Sequence, residues 1–146
     1  MRVTPDTGIL VRMNAKATGP ARRLLEIILS GPHELILSDF LLNELARVLT
    51  YPRIQKLYQL TADYIAEHVQ LLRARADLVS PVVFKEVVLQ DPNDDPVVYT
   101  AVAGRADVLC ASDRDFYVPE VVAFCGDRGI RIMNDVDLLR ELTPCK

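Results

Sequence analysis

Residues 33–52 read HELILSDFLLNELARVLTYP. Leu35, Ile36 and Leu37 form a continuous apolar run between Pro32 and Ser38, the pattern of a short strand buried on both faces. Ser38 then offers an N-cap oxygen to a helix that runs through Phe40, Leu41, Leu45, Val48 and Leu49 and is ended by Pro52. A buried strand that leads directly into an amphipathic helix is the unit of a parallel sheet, because parallel neighbours need a crossover and a helix supplies it.

The pattern repeats outward from this unit. Upstream, residues 21–29 (ARRLLEIIL) place Leu24, Leu25, Ile28 and Leu29 on one helical face, and Gly31-Pro32 stops the helix. Residues 2–6 read as a first strand, with Ile9, Leu10 and Val11 left open between strand and helix. Pro5 conflicts with that strand, since it removes a ladder donor, and is tolerable only where the strand ends. Downstream, Thr61 caps a helix carrying Ile65, Val69 and Leu72 on one side, and Val79, Val82 and Val83 read as extended. Asp91-Pro92-Asn93-Asp94 is turn chemistry. A tightly packed helix is expected over Val97 to Ala106, a buried strand over Val108 to Ala111, and a helix at Val121 to Phe124. Ile130 to Met133 reads as a strand, and Val136 to Leu142 as a helix capped by Asn134 or Asp135. The expected architecture is a three-layer α/β/α sandwich around a central, mainly parallel sheet, with residues 1–146 as a single domain.

Half of the 146 residues are hydrophobic and a quarter are charged, enough to bury a core and too apolar for a disordered chain. With 17 basic against 20 acidic residues the net charge is −3, which excludes gripping nucleic acid by bulk positive charge. It does not exclude acids gathered in one place to hold cations. Cys110, Cys125 and Cys145 are an odd number without close pairing, which fits a reducing compartment. His33 and His68 are isolated, so no zinc set is visible. The apolar run Gly8 to Val11 is too short for a signal-peptide core or a membrane span, and a cytoplasmic protein is expected.

In open parallel sheets, ligands bind at the carboxyl ends of strands, where strand order reverses. Asp6 follows the first strand; Ser112, Asp113 and Asp115 follow the strand ending at Ala111. Asp94 and Asp95 open the helix feeding that strand, and Glu44 lies on the helix after Leu37. Each has an ordinary reading when taken singly. Glu44 suits the polar flank of its helix or a pair with Arg47, Asp95 suits a first-turn acid, and Asp113 and Asp115 suit turns. Their convergence on one edge points elsewhere. Crowded carboxylates repel one another unless a cation compensates them, and an oxygen-only set suits Mg²⁺ or Mn²⁺. Such ions serve phosphodiester chemistry by lowering the pKa of a water and neutralising charge on phosphoryl oxygens.

Four segments carry a family resemblance: VTPDTGILV (3–11), LSDFLLNELARVLTYPRI (37–54), DPNDDPVVYTAVAGRADVLCASDRDF (91–116) and GIRIMNDVDLL (129–139). In this order and spacing the chain resembles a PIN domain, of the group that forms toxin components of prokaryotic toxin–antitoxin systems. The resemblance implies a small Mg²⁺- or Mn²⁺-dependent endoribonuclease with RNA as substrate. It implies Asp6, Glu44, Asp95 and Asp113 as catalytic acids and metal ligands, with Asp94 the register alternative to Asp95 and Asp115 a further ligand. Ser112 matches the small hydroxyl beside the fourth acid. A cognate antitoxin protein and a homodimer are implied too, and the 50% hydrophobic share with a mean hydropathy of +0.15 agrees with an apolar interface. Two departures stand out: Gly8 where the family usually has Asn, and Pro5 where it has an apolar residue.

Rival readings are weaker. Asp6-Thr7-Gly8 is the tripeptide of aspartic proteases, but it occurs once and in a helix-rich chain. No Gly-rich phosphate loop and no Ser/His/Asp triad is present. A PIN-like domain with weak or no catalysis, acting as an RNA- or protein-binding module, is the alternative left open by Gly8. Among basic residues Arg114 is the best placed for phosphate, lying between two candidate ligands, whereas Tyr51, Tyr58 and Tyr117 are scattered.

Overall fold

A computed structural model describes residues 1–83, 87–88 and 94–143. The expected turn at residues 91–93 and Cys145 lie outside the described residues. Five strands form one sheet: β1 (Arg2–Pro5), β2 (Glu34–Leu37), β3 (Asp77–Leu78), β4 (Val108–Cys110) and β5 (Arg131–Met133). Their order is β3-β2-β1-β4-β5, and every pairing is parallel. The expected α/β architecture is therefore present, with a sheet that is wholly parallel among the described residues. Helices α1 (Thr7–Arg12), α2 (Pro20–Ser30), α3 (Asp39–Leu49), α4 (Pro52–Tyr58), α5 (Ala62–Arg75), α6 (Asp95–Ala103), α7 (Pro119–Gly126) and α8 (Asp135–Leu142) flank it. α2 packs on α8, and α3 packs on α1, α5 and α6.

The sheet grows from β1 toward β2 and β3 on one side and toward β4 and β5 on the other, so strand order reverses between β1 and β4. Val3, Leu35, Leu37, Val108 and Leu109 are buried in the sheet, and Leu24, Ile28, Leu41, Leu45 and Val98 are buried on the helices. Continuous apolar strands follow from this burial on both faces. Gly104 allows α6 to end against β2, because a Cβ there would lie 2.2 Å from Ile36 Cγ2.

Several local expectations change. Pro5 is the last residue of β1, and pairing with β2 has already ended at Val3↔Leu35, so its missing donor costs no ladder bond on that side. Ile9 to Val11 belong to α1, which begins one residue after Asp6 because the Asp6 side chain caps it. Pro52 opens α4 as well as following α3; at the first helical position its missing N–H is harmless. Val79 donates to Leu37 O at 2.9 Å, but Val82 and Val83 are exposed and lie in no regular element. α6 stops at Ala103, short of Ala106.

His68 on α5 is 3% exposed and stacks on Tyr64 with ring centroids 5.7 Å apart. Burial, aided by the Arg22 charge, lowers its pKa to about 4. The unfolded chain protonates His68 near the ordinary value of about 6.5, so below that pH the unfolded state binds the extra proton. Stability from this group is complete above about pH 6.5 and is lost as pH falls toward 4, by up to about 3 kcal/mol. Urea midpoints measured from pH 7 to 4 are expected to fall more steeply for the wild type than for His68→Phe. Equal slopes would mean that His68 does not titrate in this way.

Candidate metal centre

The parallel pairing of β1 with β4 sets Pro5 opposite Cys110, and the Asp6 N–H continues the ladder by donating to Cys110 O at 2.8 Å. The two chains leave the sheet side by side, and the Asp6 carboxylate, 4% exposed, joins them. Its Oδ1 accepts from Ile9 N–H at 2.8 Å, capping α1, and its Oδ2 accepts from Ser112 N–H at 3.0 Å, holding the loop after β4. Burial pushes the Asp6 carboxyl above the usual carboxylate range, while the N–H groups of Ile9, Ser112 and Asp113 and the Arg12 charge pull the other way.

Asp113 follows β4 and is exposed. Its Oδ1 accepts from Asp115 N–H at 2.9 Å, which opens the short 3-10 turn over Arg114–Tyr117. Tyr117 fixes the other end of this loop by donating its hydroxyl to Ala111 O at 2.6 Å. Across the reversal point, Asp94 stands at the N-terminal end of α6. One carboxylate oxygen each from Asp94, Asp113 and Asp115 lie within 4.8 Å of one another, the one such group of acids among the described residues. Oxygens on opposite sides of a Mg²⁺ ion stand about 4.2 Å apart, twice its bond length of about 2.1 Å. Three oxygens on one octahedral ion include at least two adjacent pairs, about 3.0 Å apart at that bond length, so the trio would have to draw together to share one; oxygen donors alone are the chemistry that hard divalent ions take.

The other candidates stand outside this trio. Asp95 is 3% exposed, and its Oδ1 accepts from Val87 N–H at 3.1 Å and Val88 N–H at 2.7 Å. Its carboxylate thus ties residues 87–88 to the start of α6, one position from Asp94. Glu44 is half-buried on α3 and pairs through both oxygens with Arg47, which also donates to the Tyr51 hydroxyl. Arg47 is 59% exposed, so the pair contributes little to stability.

Gly8 has a local cause. A Cβ there would lie 2.8 Å from Ser112 Oγ, so a larger side chain would need the exposed serine hydroxyl to turn away. Asp135, read from the sequence only as a helix cap, is a buried acid two residues after β5 and pairs with Arg12 at 3.7 Å. Asn134 does the capping, accepting from Asp137 N–H at 2.8 Å. The rule that flagged Asp6 and Asp113 also reaches Asp135, since it too follows a strand at the same edge.

Carboxylates collected where a parallel sheet reverses its strand order define an α/β domain with an acidic cluster compatible with a divalent cation. A family model described as PIN domain matches residues 2–115, a span that contains Asp6, Glu44, Asp94, Asp95, Asp113 and Asp115. The chain belongs to the PIN domain family. Domains of this family are generally nucleases that act on nucleic acid and typically use divalent metals. No curated protein matches the chain. No helix among the described residues is long and apolar enough to cross a membrane.

Proposed function

We propose that residues 1–146 act as one metal-dependent endoribonuclease domain, hydrolysing RNA phosphodiester bonds at the β1/β4 crevice. The observation that carries this reading is the convergence of Asp94, Asp113 and Asp115 at the strand reversal. These three hold Mg²⁺ or Mn²⁺, and Asp6, Glu44 and Asp95 complete the acid set. A divalent ion bound there supplies a water activated near neutral pH and offsets charge on the phosphoryl oxygens. Asp6 orients the loop carrying Asp113 through Ser112 N–H, and Asp95 sets the start of α6 beside Asp94. Arg47 holds the charge of Glu44 in reserve as an ion pair. The alternative, a catalytically weak or inactive PIN-like domain acting as an RNA- or protein-binding module, is separated from this reading by whether the chain cuts RNA.

The same reading makes the chain the toxin of a toxin–antitoxin pair, a homodimer bound by a cognate antitoxin protein. An apolar cleft of about 310 Å³, lined by Ala46, Ala62, Ile65 and Val69 among others, supports an apolar interface. Free, buried Cys110 and Cys125 support a reducing compartment, the cytoplasm.

Calorimetric titration with Mn²⁺ tests the site. Asp94→Asn and Asp115→Asn are each expected to weaken Mn²⁺ binding at least tenfold, about 1.4 kcal/mol. Glu44→Gln and Asp95→Asn are expected to weaken it as well, with the fold retained. Unchanged affinity in Asp94→Asn and Asp115→Asn would place the ion elsewhere; unchanged affinity in the other two alone would remove Glu44 and Asp95 from the ligand set.

A further inference from the structure

A polar cavity of about 300 Å³ lies at the far end of α1 from Asp6. Arg12, Lys16, Gly19, Leu57, Tyr58 and Asp135 line most of it. We propose that this cavity binds one nucleotide of the RNA strand, next along the chain from the phosphate held at the acid cluster. That the strand is RNA rests on the ribonuclease reading; that a nucleotide binds rests on the cavity.

The cations come first. Lys16 is exposed and makes no ion pair among the described residues. Among the described residues Arg12 forms an ion pair with Asp135 alone, at 3.7 Å, and its side chain is 43% exposed, so much of its guanidinium is open to a second partner. The start of α2 at Gly19-Pro20 also lines the cavity and has no side-chain cap, leaving first-turn N–H groups without that partner. Asp135 opposes an anion, but Arg12 offsets it, and the balance of Arg12, Lys16 and Asp135 is one positive charge.

A bare phosphate would use only this part. The cavity extends to Tyr58 and Leu57 on α4, where Tyr58 is half-buried and Leu57 is 66% exposed. A tyrosine ring beside an exposed apolar side chain is a stacking wall for a base. Asp135 is 5% exposed, and its carboxylate is an acceptor suited to a sugar hydroxyl or an exocyclic amine. Cation, acceptor and aromatic wall in one cavity match the three parts of a nucleotide. The six residues of α1 span about 9 Å between the Asp6 cap and Arg12, so the cavity lies one short helix away from the strand end that carries Asp6.

The test uses the full chain, ¹⁵N-labelled and in EDTA, titrated with adenosine monophosphate and, separately, with inorganic phosphate. The expected result is amide shifts at Lys16, Gly19, Ala21 and Tyr58, with tighter binding of the nucleotide than of phosphate. Lys16→Glu is expected to weaken nucleotide binding at least tenfold with unchanged melting, and Tyr58→Ala at least fivefold, measured below its lowered melting temperature because Tyr58 packs against the core. With Mn²⁺ present, both are expected to raise KM for single-stranded RNA at least fivefold. Absence of shifts at these amides, or equal affinity for phosphate and nucleotide, would overturn the proposal. The two readings fail separately. Nucleotide binding by a chain that cuts no RNA keeps the cavity and removes the ribonuclease. RNA cleavage with KM unchanged in both variants keeps the ribonuclease and removes the cavity.

Discussion

Asp113→Asn is expected to slow Mn²⁺-dependent RNA cleavage by about 100-fold or more, the consequence of losing about 3 kcal/mol of transition-state stabilisation. Fold stability is expected to stay within about 0.5 kcal/mol, the usual range for an exposed position. The separation follows from the geometry. Asp113 is exposed, and its one structural bond, from Asp115 N–H to Oδ1, can be accepted by an Asn oxygen as well. The charge has no such substitute: Asp94 and Asp115 are left as two carboxylates where three converge. A cleavage assay paired with a thermal melt reads both effects. Full activity in Asp113→Asn would show that the cleaving site is not this cluster.

Asp6→Ala is the largest expected change in stability. The substitution removes the cap of α1, worth about 1 kcal/mol, and leaves Ser112 N–H without its carboxylate, at a cost of about 1–3 kcal/mol. The total of about 3 kcal/mol corresponds to a fall in Tm of about 10 °C for a chain of this size. Asp6→Asn is expected to cost about half as much in urea unfolding, since an amide oxygen replaces one of the two acceptors and the NH₂ group cannot replace the other. Both variants are expected to lose RNA cleavage, but only the alanine variant strongly loses stability. An Asp6→Ala chain as stable as the wild type would mean that the Ile9 and Ser112 bonds do not hold β1 to β4.

The unit Leu35 to Leu49 was legible because its information is local: an apolar run, a cap and a helical period on adjacent residues. The strand-end rule made Asp6, Asp113 and Asp115 legible, since it needs only the order of elements. α1 was ambiguous because Ile9, Leu10 and Val11 are all buried, and a segment buried all round has no period to read. Pro52 hid α4, because the same residue that stops one helix can start the next. The choice between Asp94 and Asp95 depended on which of two adjacent side chains turns toward Asp113. In the structure the Val87 and Val88 N–H groups, from a segment whose position no sequence pattern reveals, take Asp95 Oδ1, while Asp94 lies with Asp113 and Asp115. Asp135 was concealed by its neighbour, since Asn134-Asp135 reads as capping chemistry and one of the two does cap. The net charge of −3 carries its meaning only once the acids are located.

Incubation of the wild-type chain with end-labelled single-stranded RNA, in Mn²⁺ and in EDTA, tests the central claim most directly. Discrete cleavage products in Mn²⁺, absent in EDTA and absent from Asp113→Asn in Mn²⁺, are the predicted result. RNA left intact by the wild type in Mn²⁺ and Mg²⁺, or cut equally well by Asp113→Asn, would contradict it.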